Sequence, residues 1–323
     1  MRIAVAIPCY QVTRHVLGVI EAIGPEVCAI YAVDDACPDG SGRFIEEHCR
    51  DPRVHVLFHT QNQGVGGAVV TAYKAALADG MDIVVKVDGD GQMNPALIPH
   101  FTRPIVRGKA DYAKGNRFYR PESLRGMPLT RLIGNAALSF VNKLSTGYWP
   151  VMDPTNGYTA IHAAVLRRLP LDKLERRYFF ESDMLYHLNI VRAVVHDVPM
   201  DAVYADERSN LKVSRVLPEF LGKHVSRFFK RYGYVYLLRD FNLGSVYSLC
   251  GALLCVTGLA FGISRWVRGV MTGEPATSGT VMLAALPVLV GIQLLIAFLH
   301  HDVSHVPTEP LAADLGDEPP GCA

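Results

Sequence analysis

The sequence predicts an α/β protein: a mostly parallel sheet with helices on both faces, followed by a C-terminal transmembrane helical hairpin. Three observations predict it. From Arg2 to about Asn116, short apolar runs alternate with longer segments of helical character, the pattern of βα repeats. Each of the first four apolar runs ends in a polar cluster, and in such sheets ligands bind beyond the carboxyl ends of the strands. Finally, Leu243 to Ser264 and Pro275 to Leu299 contain no Asp, Glu, Lys or Arg. Each is long enough to cross a hydrocarbon core of about 30 Å at about 1.5 Å per residue.

Taken in order, the expected strands are Ile3 to Ile7, Ala29 to Val33, Val54 to Phe58, Ile83 to Val87 and Tyr112 to Lys114. Helices are expected near Arg14 to Ile23, Gly42 to Cys49, Gly66 to Ala78 and Pro95 to Val106, then an apolar helix from about Leu132 to Leu144 and another from Met184 to Arg192. Between them fall Pro8-Cys9-Tyr10-Gln11, Asp34-Asp35 with Asp39-Gly40-Ser41, and His59 to Gly67. The glycines Gly64, Gly66 and Gly67 suit a helix entry whose free amides can meet a phosphate.

The fourth run, Val84-Val85-Lys86-Val87-Asp88-Gly89-Asp90-Gly91-Gln92-Met93-Asn94-Pro95, ends in two carboxylates two residues apart. Side chains on an extended chain repeat with period 2, so Asp88 and Asp90 project to one side where a buried strand meets solvent. Like charges this close repel, and a divalent cation relieves the repulsion. Carboxylates with a carboxamide such as Gln92 are oxygen ligands of the kind Mg²⁺ or Mn²⁺ takes, usually with phosphate oxygens completing the shell. The same residues also read as a strand-to-helix turn, with Asn94 as N-cap and Pro95 at the first helical position. The two readings are compatible.

Composition narrows the class. Of 323 residues 50% are apolar, enough for a sizeable core, and the net charge is only +1. That balance argues against a nucleic-acid partner, which calls for a strongly basic face. The seven cysteines form no C-x-x-C pair and have no His at metal-ligand spacing, which fits reduced thiols in a cytosolic setting. The N-terminal apolar run is too short for a signal-peptide core and reads as a first strand.

Val33-Asp34-Asp35, then Asp39-Gly40-Ser41, then Asn62-Gln63-Gly64, then Asp88-x-Asp90-x-Gln92-Met93-x-Pro95 together resemble the family 2 glycosyltransferases of GT-A fold. Within them the pattern is similar to the polyprenyl-phosphate sugar transferases, over roughly residues 3 to 240. The resemblance implies a nucleotide-sugar donor, with Asp35 at the nucleoside, Pro8, Tyr10, Gln63 and Gly64 in the donor loops, and Asp88 and Asp90 on the metal and diphosphate. Gln92 would complete the metal site or touch the donor. Where the family often has an Asn-Glu pair after Pro-x-Tyr, this chain has Gln11-Val12, which leaves the base, uridine or guanosine, open.

On the acceptor side, Gly115-Asn116-Arg117-Phe118 resembles the family's Gly-x-Arg-Tyr/Phe element and is followed by Arg120, Arg125 and Arg131. Guanidinium groups suit phosphate because they present paired planar donors and keep their charge. Asp153-Pro154-Thr155-Asn156-Gly157-Tyr158 resembles the family's Asp-x-x-Ser-Gly-Phe, which makes Asp153 the first candidate for an active-site carboxylate beside Asp90. Asp183, in Glu181-Ser182-Asp183, is the second. An alcohol acceptor needs a base to take its proton, whereas a phosphomonoester with a second pKa near ~6 arrives largely dianionic. With a lipid phosphate, Asp153 and Asp183 would orient more than accept protons.

Eight Lys or Arg between Arg208 and Arg239 face one acid, Glu219, and Phe220, Leu221, Val225, Phe228 and Phe229 interleave at helical spacing. Such a basic amphipathic segment is expected to sit on an anionic leaflet and to put the catalytic part on the cytoplasmic face of the inner membrane. Arg265 and Arg268, assigned to the loop between the spans, count the other way but are outnumbered. The expected organisation is therefore a catalytic domain over 1–206, a juxtamembrane segment over 207–242, two spans over 243–299 and a largely disordered tail from His300. The expected activity is metal-dependent, inverting transfer of a single sugar to a polyprenyl phosphate at a bilayer. Its rivals are a processive polysaccharide synthase and a non-catalytic, membrane-tethered nucleotide-sugar-binding scaffold. Self-association, the sugar and the lipid length are open.

Overall fold

The computed structural model describes residues 1–119, 129–201 and 213–315. In chain order its elements are β1 (Ile3–Cys9), α1 (Val16–Glu21), β2 (Val27–Asp34), α2 (Ser41–His48), β3 (Val54–Phe58), α3 (Val65–Ala78), β4 (Ile83–Lys86), α4 (Ile98–Val106), β5 (Tyr112–Asn116), α5 (Leu129–Thr146), β6 (Thr159–His162), α6 (Ala163–Leu166), α7 (Phe180–Ile190), β7 (Val195–Pro199), α8 (Val213–Tyr232), a π-helical stretch (Gly233–Arg239), α9 (Leu243–Thr272), α10 (Ser278–Ser304) and α11 (Leu311–Leu315).

One seven-stranded sheet runs in the order β3-β2-β1-β4-β6-β5-β7. β1 is central and apolar along its length, as a strand covered on both faces must be, and it pairs in parallel with β2 and β4. The core continues through Ile30, Val85, Ile98, Phe101 and Tyr158, all essentially without exposure. β6 is the exception to parallel pairing, lying antiparallel between β4 and β5. Neither β6 nor β7 is among the strands expected from the sequence. β6 is only four residues long, too short for a period to register, and it follows a turn-rich segment.

Because β1 to β4 are neighbouring parallel strands, their carboxyl ends open on one edge. The register pairs Cys9 with Asp34 and Asp34 with Phe58, and the Val87 amide bonds the Ala6 carbonyl. After β4 the chain makes the expected turn: Asn94 Oδ1 accepts from the Ala96 amide at 3.0 Å, with Pro95 opening a 3₁₀ turn that leads into α4.

The chain divides into two compact units, Met1–Phe228 with the segment from Pro307, and Phe229–Val306. In the second, α9 and α10 are 30 and 27 residues long, apolar enough to cross a membrane, and only 17% and 6% of their most apolar windows are buried. They pack through glycines: a Cβ on Gly291 would come within 2.8 Å of the Gly251 carbonyl oxygen, the close approach small residues allow between membrane helices. In the same unit Asp302 accepts from Arg231 at 2.6 and 3.0 Å and from the Tyr236 hydroxyl at 2.6 Å.

Three expectations change. Arg265 and Arg268 belong to the last turns of α9, since the helix continues to Thr272 and stops at Gly273 with φ 73°. The tail is ordered through Leu315: α10 runs to Ser304, and the Leu311 and Ala312 amides then donate to the Asp111 carboxylate at 3.0 and 2.8 Å. Acid-rich, Pro-containing composition concealed this, because the partner that holds the segment is 200 residues away. The basic segment is also not simply a free cationic face. Lys223 pairs with Glu175 at 2.8 Å, Arg227 with Asp183 at 2.6 Å and Arg231 with Asp302. Arg208 and Lys212 lie outside the described residues, as does the Arg215 side chain.

Candidate active site

The loop after β2 is organised by two adjacent buried carboxylates with separate tasks. Asp34 holds its own turn, accepting from the Cys37 amide at 2.8 Å and the Gly42 amide at 2.6 Å. Asp35 reaches across to the β3–α3 loop: one oxygen accepts from the Gln63 amide at 2.8 Å and lies 2.7 Å from His59 Nδ1, the other accepts from the Gly64 amide at 2.7 Å. At 3% exposure, Asp35 spends its carboxylate on shaping the loop. Gly64 is at φ 85°, and a Cβ there would fall 2.5 Å from the Arg176 carbonyl oxygen, so only glycine fits. Gln63 also accepts from Arg176 at 3.0 Å. Pro8 lies in β1, partly buried, and Tyr10 beyond it is 46% exposed.

Asp88 and Asp90 lie in the half-buried turn after β4, where the Gln92 amide donates to Asp90 Oδ1 at 3.0 Å. Behind them is a group that sequence reasoning missed. Lys86, 1% exposed, places its ammonium 2.8 Å from Asp88 Oδ1 and 3.3 Å from Glu181 Oε1. The first contact is an ion pair off the line a hydrogen bond requires, so Asp88 Oδ1 is buried without a hydrogen bond among the described residues. Burial pulls the ammonium toward neutrality, but Asp88 and Glu181 more than offset this and hold its pKa above the ordinary lysine value. Space for the trio comes from Gly157, where a Cβ would strike Lys86 Nζ and approach Asp88 Oδ2 to 2.8 Å.

Gly157 links this corner to the next. Asn156 beside it accepts from a second buried lysine, Lys114, through its carbonyl oxygen. Burial brings the Lys114 ammonium down to about 8. Asp153, wholly buried, is gripped by Arg117, whose Nε lies 2.7 Å from Oδ2 and whose terminal nitrogen lies 3.0 Å from Oδ1. Asp197 closes the row, accepting from Asn116 at 2.8 Å, and burial raises its pKa. Thus Asp88, Arg117 and Asp153 are joined through Gly157 and its neighbours.

Asp183 is placed differently. It is wholly buried, accepting from Arg227 Nε at 2.6 Å and the Glu175 amide at 2.9 Å, and so pins α8 to the start of α7. Its neighbour Glu181 is the acid turned toward Lys86 and Asp88. Arg120 and Arg125 lie outside the described residues, and so does the Arg131 side chain at the start of α5. A signal for Lys86 does exist in the sequence: it is the one charge in an apolar strand, and period 2 puts it on the side of Asp88 and Asp90.

Two carboxylates and a carboxamide suit a hard divalent cation with open positions for phosphate oxygens, and Asp88 Oδ1 still lacks a hydrogen bond. Among the described residues no three His, Cys, Asp or Glu gather at metal-binding distance.

The undecaprenyl-phosphate mannosyltransferase of Micrococcus luteus is 31% identical over 208 residues, 63% of this chain and 84% of that one. The UDP-N-acetylglucosamine–dolichyl-phosphate N-acetylglucosaminyltransferase of Methanococcus voltae is 29% identical over 214 residues, 62% of this chain and 85% of that one. Among solved structures, glucosyl-3-phosphoglycerate synthase of Mycobacterium tuberculosis, in complex with Mn²⁺, UDP and its product, superposes with a TM-score of 0.51 at 20% identity, over 71% of this chain and 79% of that one. That likeness is one of fold, and it fits the GT-A-like sheet described above. The sequence profile of the glycosyl transferase family 2 matches residues 4–170, from β1 through both carboxylate loops to the end of α6, and the chain therefore belongs to that family.

Proposed function

We propose that this enzyme transfers a single sugar, with inversion, from a nucleotide diphosphate sugar to a polyprenyl phosphate at the cytoplasmic face of a membrane. The observation that carries the reading is the joint presence of the Asp88–Asp90 turn at the open sheet edge and two long, exposed apolar helices in the same chain. The relatives that act on undecaprenyl and dolichyl phosphates support the acceptor class.

In this reading the donor lies across the carboxyl ends of β1 to β4. Pro8 and Tyr10 flank the nucleoside, while Asp35 acts by holding Gln63 and Gly64 in place for it. Asp88, Asp90 and Gln92 hold Mg²⁺ or Mn²⁺ at the diphosphate. When bound, such an ion neutralises charge that builds on the departing nucleoside diphosphate. Arg117, oriented by Asp153, is directed to the acceptor phosphate, with Arg125 and Arg131 as further phosphate partners. A phosphate acceptor is already ionised near neutrality, so no group need remove a proton from it. We assign Asp183 to holding α7 and α8 together. The catalytic part occupies 1–206, the juxtamembrane segment 207–242 and the spans 243–299.

The test is transfer of radiolabelled sugar from a panel of UDP- and GDP-sugars to polyprenyl phosphate, with and without EDTA. Organic-extractable, chelator-sensitive label carrying one sugar per lipid is expected. Label that stays water-soluble with every donor, or transfer indifferent to EDTA, refutes the proposal.

A further inference from the structure

We propose that Lys86 is the internal counter-ion of Asp88, holding down the affinity of the carboxylate pair for a divalent cation, and that Glu181 takes over its ammonium when the cation arrives. The inference rests on the reading of Asp88 and Asp90 as the cation site.

The geometry is that of a shared cation. Lys86 is 1% exposed, so its ammonium has no water to turn to and must find oxygens inside the protein. Its carboxylate partners are Asp88 at 2.8 Å and Glu181 at 3.3 Å. The shorter contact is an ion pair lacking hydrogen-bond alignment, while the longer one meets hydrogen-bond geometry. The ammonium is therefore held to Asp88 by charge and to Glu181 by direction. A divalent cation at Asp88 repels it, and Glu181 offers a place to go within hydrogen-bonding distance.

Two consequences follow. Without substrate, Lys86 relieves the repulsion between Asp88 and Asp90, so the turn keeps its shape with no metal. The half-neutralised pair also binds a free cation weakly, which favours entry of the ion together with the diphosphate, whose negative charge restores the attraction. Glu181 sets how readily Lys86 lets go.

The experiment measures Mn²⁺ binding alone, without donor or acceptor, by loss of the free-Mn²⁺ electron paramagnetic resonance signal on adding the detergent-solubilised full chain. Removing Lys86 singly would leave Glu181 buried and unpaired, so the neutral pair K86M/E181Q is used, with E181Q as the second variant and thermal melting as the check on folding. E181Q leaves Lys86 no second carboxylate and is expected to weaken Mn²⁺ binding by about threefold or more; K86M/E181Q frees Asp88 and is expected to tighten it by about tenfold or more. Opposite shifts support the proposal, because a space-filling role for Lys86 moves neither. Folded variants that both bind within twofold of wild type, or shift in one direction, overturn it. D90N separates the underlying reading: if D90N binds Mn²⁺ like wild type, the cation is not held at this pair and both fail. If D90N loses Mn²⁺ while the Lys86 and Glu181 variants match wild type, only the counter-ion proposal fails.

Discussion

Acid should loosen the helix α8 through one residue, His224. It is 2% exposed and packs edge-on to Phe179 with ring centroids 4.8 Å apart. Ser145 gives its hydroxyl proton to the Asn142 carbonyl at 3.0 Å, so at 2.8 Å it accepts from His224 Nδ1–H. The remaining nitrogen, Nε2, is buried with no hydrogen-bond partner among the described residues. Protonating Nε2 would bury a cation with nothing to receive it, and burial accordingly lowers the His224 pKa from 6.5 to about 4. Between these values the unfolded chain binds more protons than the folded one. Stability thus falls as pH drops from 6.5 toward 4, by about 3 kcal/mol once the lower value is passed. The perturbation is H224F, which cannot titrate, keeps an aromatic ring against Phe179 and leaves Ser145 bonded to Asn142. The assay is the melting temperature in detergent between pH 7 and pH 4, read as wild type minus variant. The Glu175 and Asp183 ion pairs on Lys223 and Arg227 are present in both proteins, so they drop out of the difference. Wild type should lose about 6–12 °C more than H224F across this range. Parallel loss in the two proteins would refute the argument that the unpartnered ring nitrogen resists protonation.

Two further outcomes test the packing around the site. Gly157→Ala drives a methyl into Lys86 and Asp88, and should cost about 1–3 kcal/mol in a thermal melt and lower sugar transfer by about a hundredfold, since reacting groups tolerate little displacement. An unchanged rate would place Gly157 away from the chemistry. Asp111 is wholly buried and accepts from the Val194, Leu311 and Ala312 amides, so Asp111→Asn puts a donor against donors at a cost of about 1–3 kcal/mol. The stretch between Ser304 and Leu311 should then be cut faster by a protease, as followed by mass spectrometry; cleavage at the wild-type rate would mean that the carboxylate does not hold α11.

The legible parts of this chain are those set by local pattern. The strands β1 to β5 announce themselves as apolar runs, the carboxylate turn by its spacing, and α9 and α10 by length without charge. What escaped detection depends on partners distant in sequence. Glu181 reads locally as no more than an acid at a helix start, because its partner Lys86 is 95 residues away. Asp183 looked available at a helix start, yet Arg227, 44 residues on, occupies it. α11 had no local reason to be ordered. The loop-forming role of Asp35 is not legible, because its ligands are backbone amides, which every residue except proline carries.

The common thread is that each cation of this site already has an acid beside it before any substrate binds. Lys86 is shared by Asp88 and Glu181, Arg117 is gripped by Asp153, and Lys114 lies within electrostatic reach of Glu181, Asp153 and Asp197. In the proposed reaction a nucleotide diphosphate and a phosphate acceptor each add negative charge to a site whose acids already outnumber its cations. Binding both therefore requires either extra cationic charge brought in with the donor, or release of cations now bound to internal acids. The fold provides for the second at one point, where Lys86 is shared between Asp88 and Glu181. The bidentate Arg117–Asp153 pair instead fixes a guanidinium, which in the proposed reaction keeps its orientation as an acceptor phosphate approaches. In the proposed reaction the two cations thus divide the work, one yielding its partner to the donor side and the other staying fixed on the acceptor side.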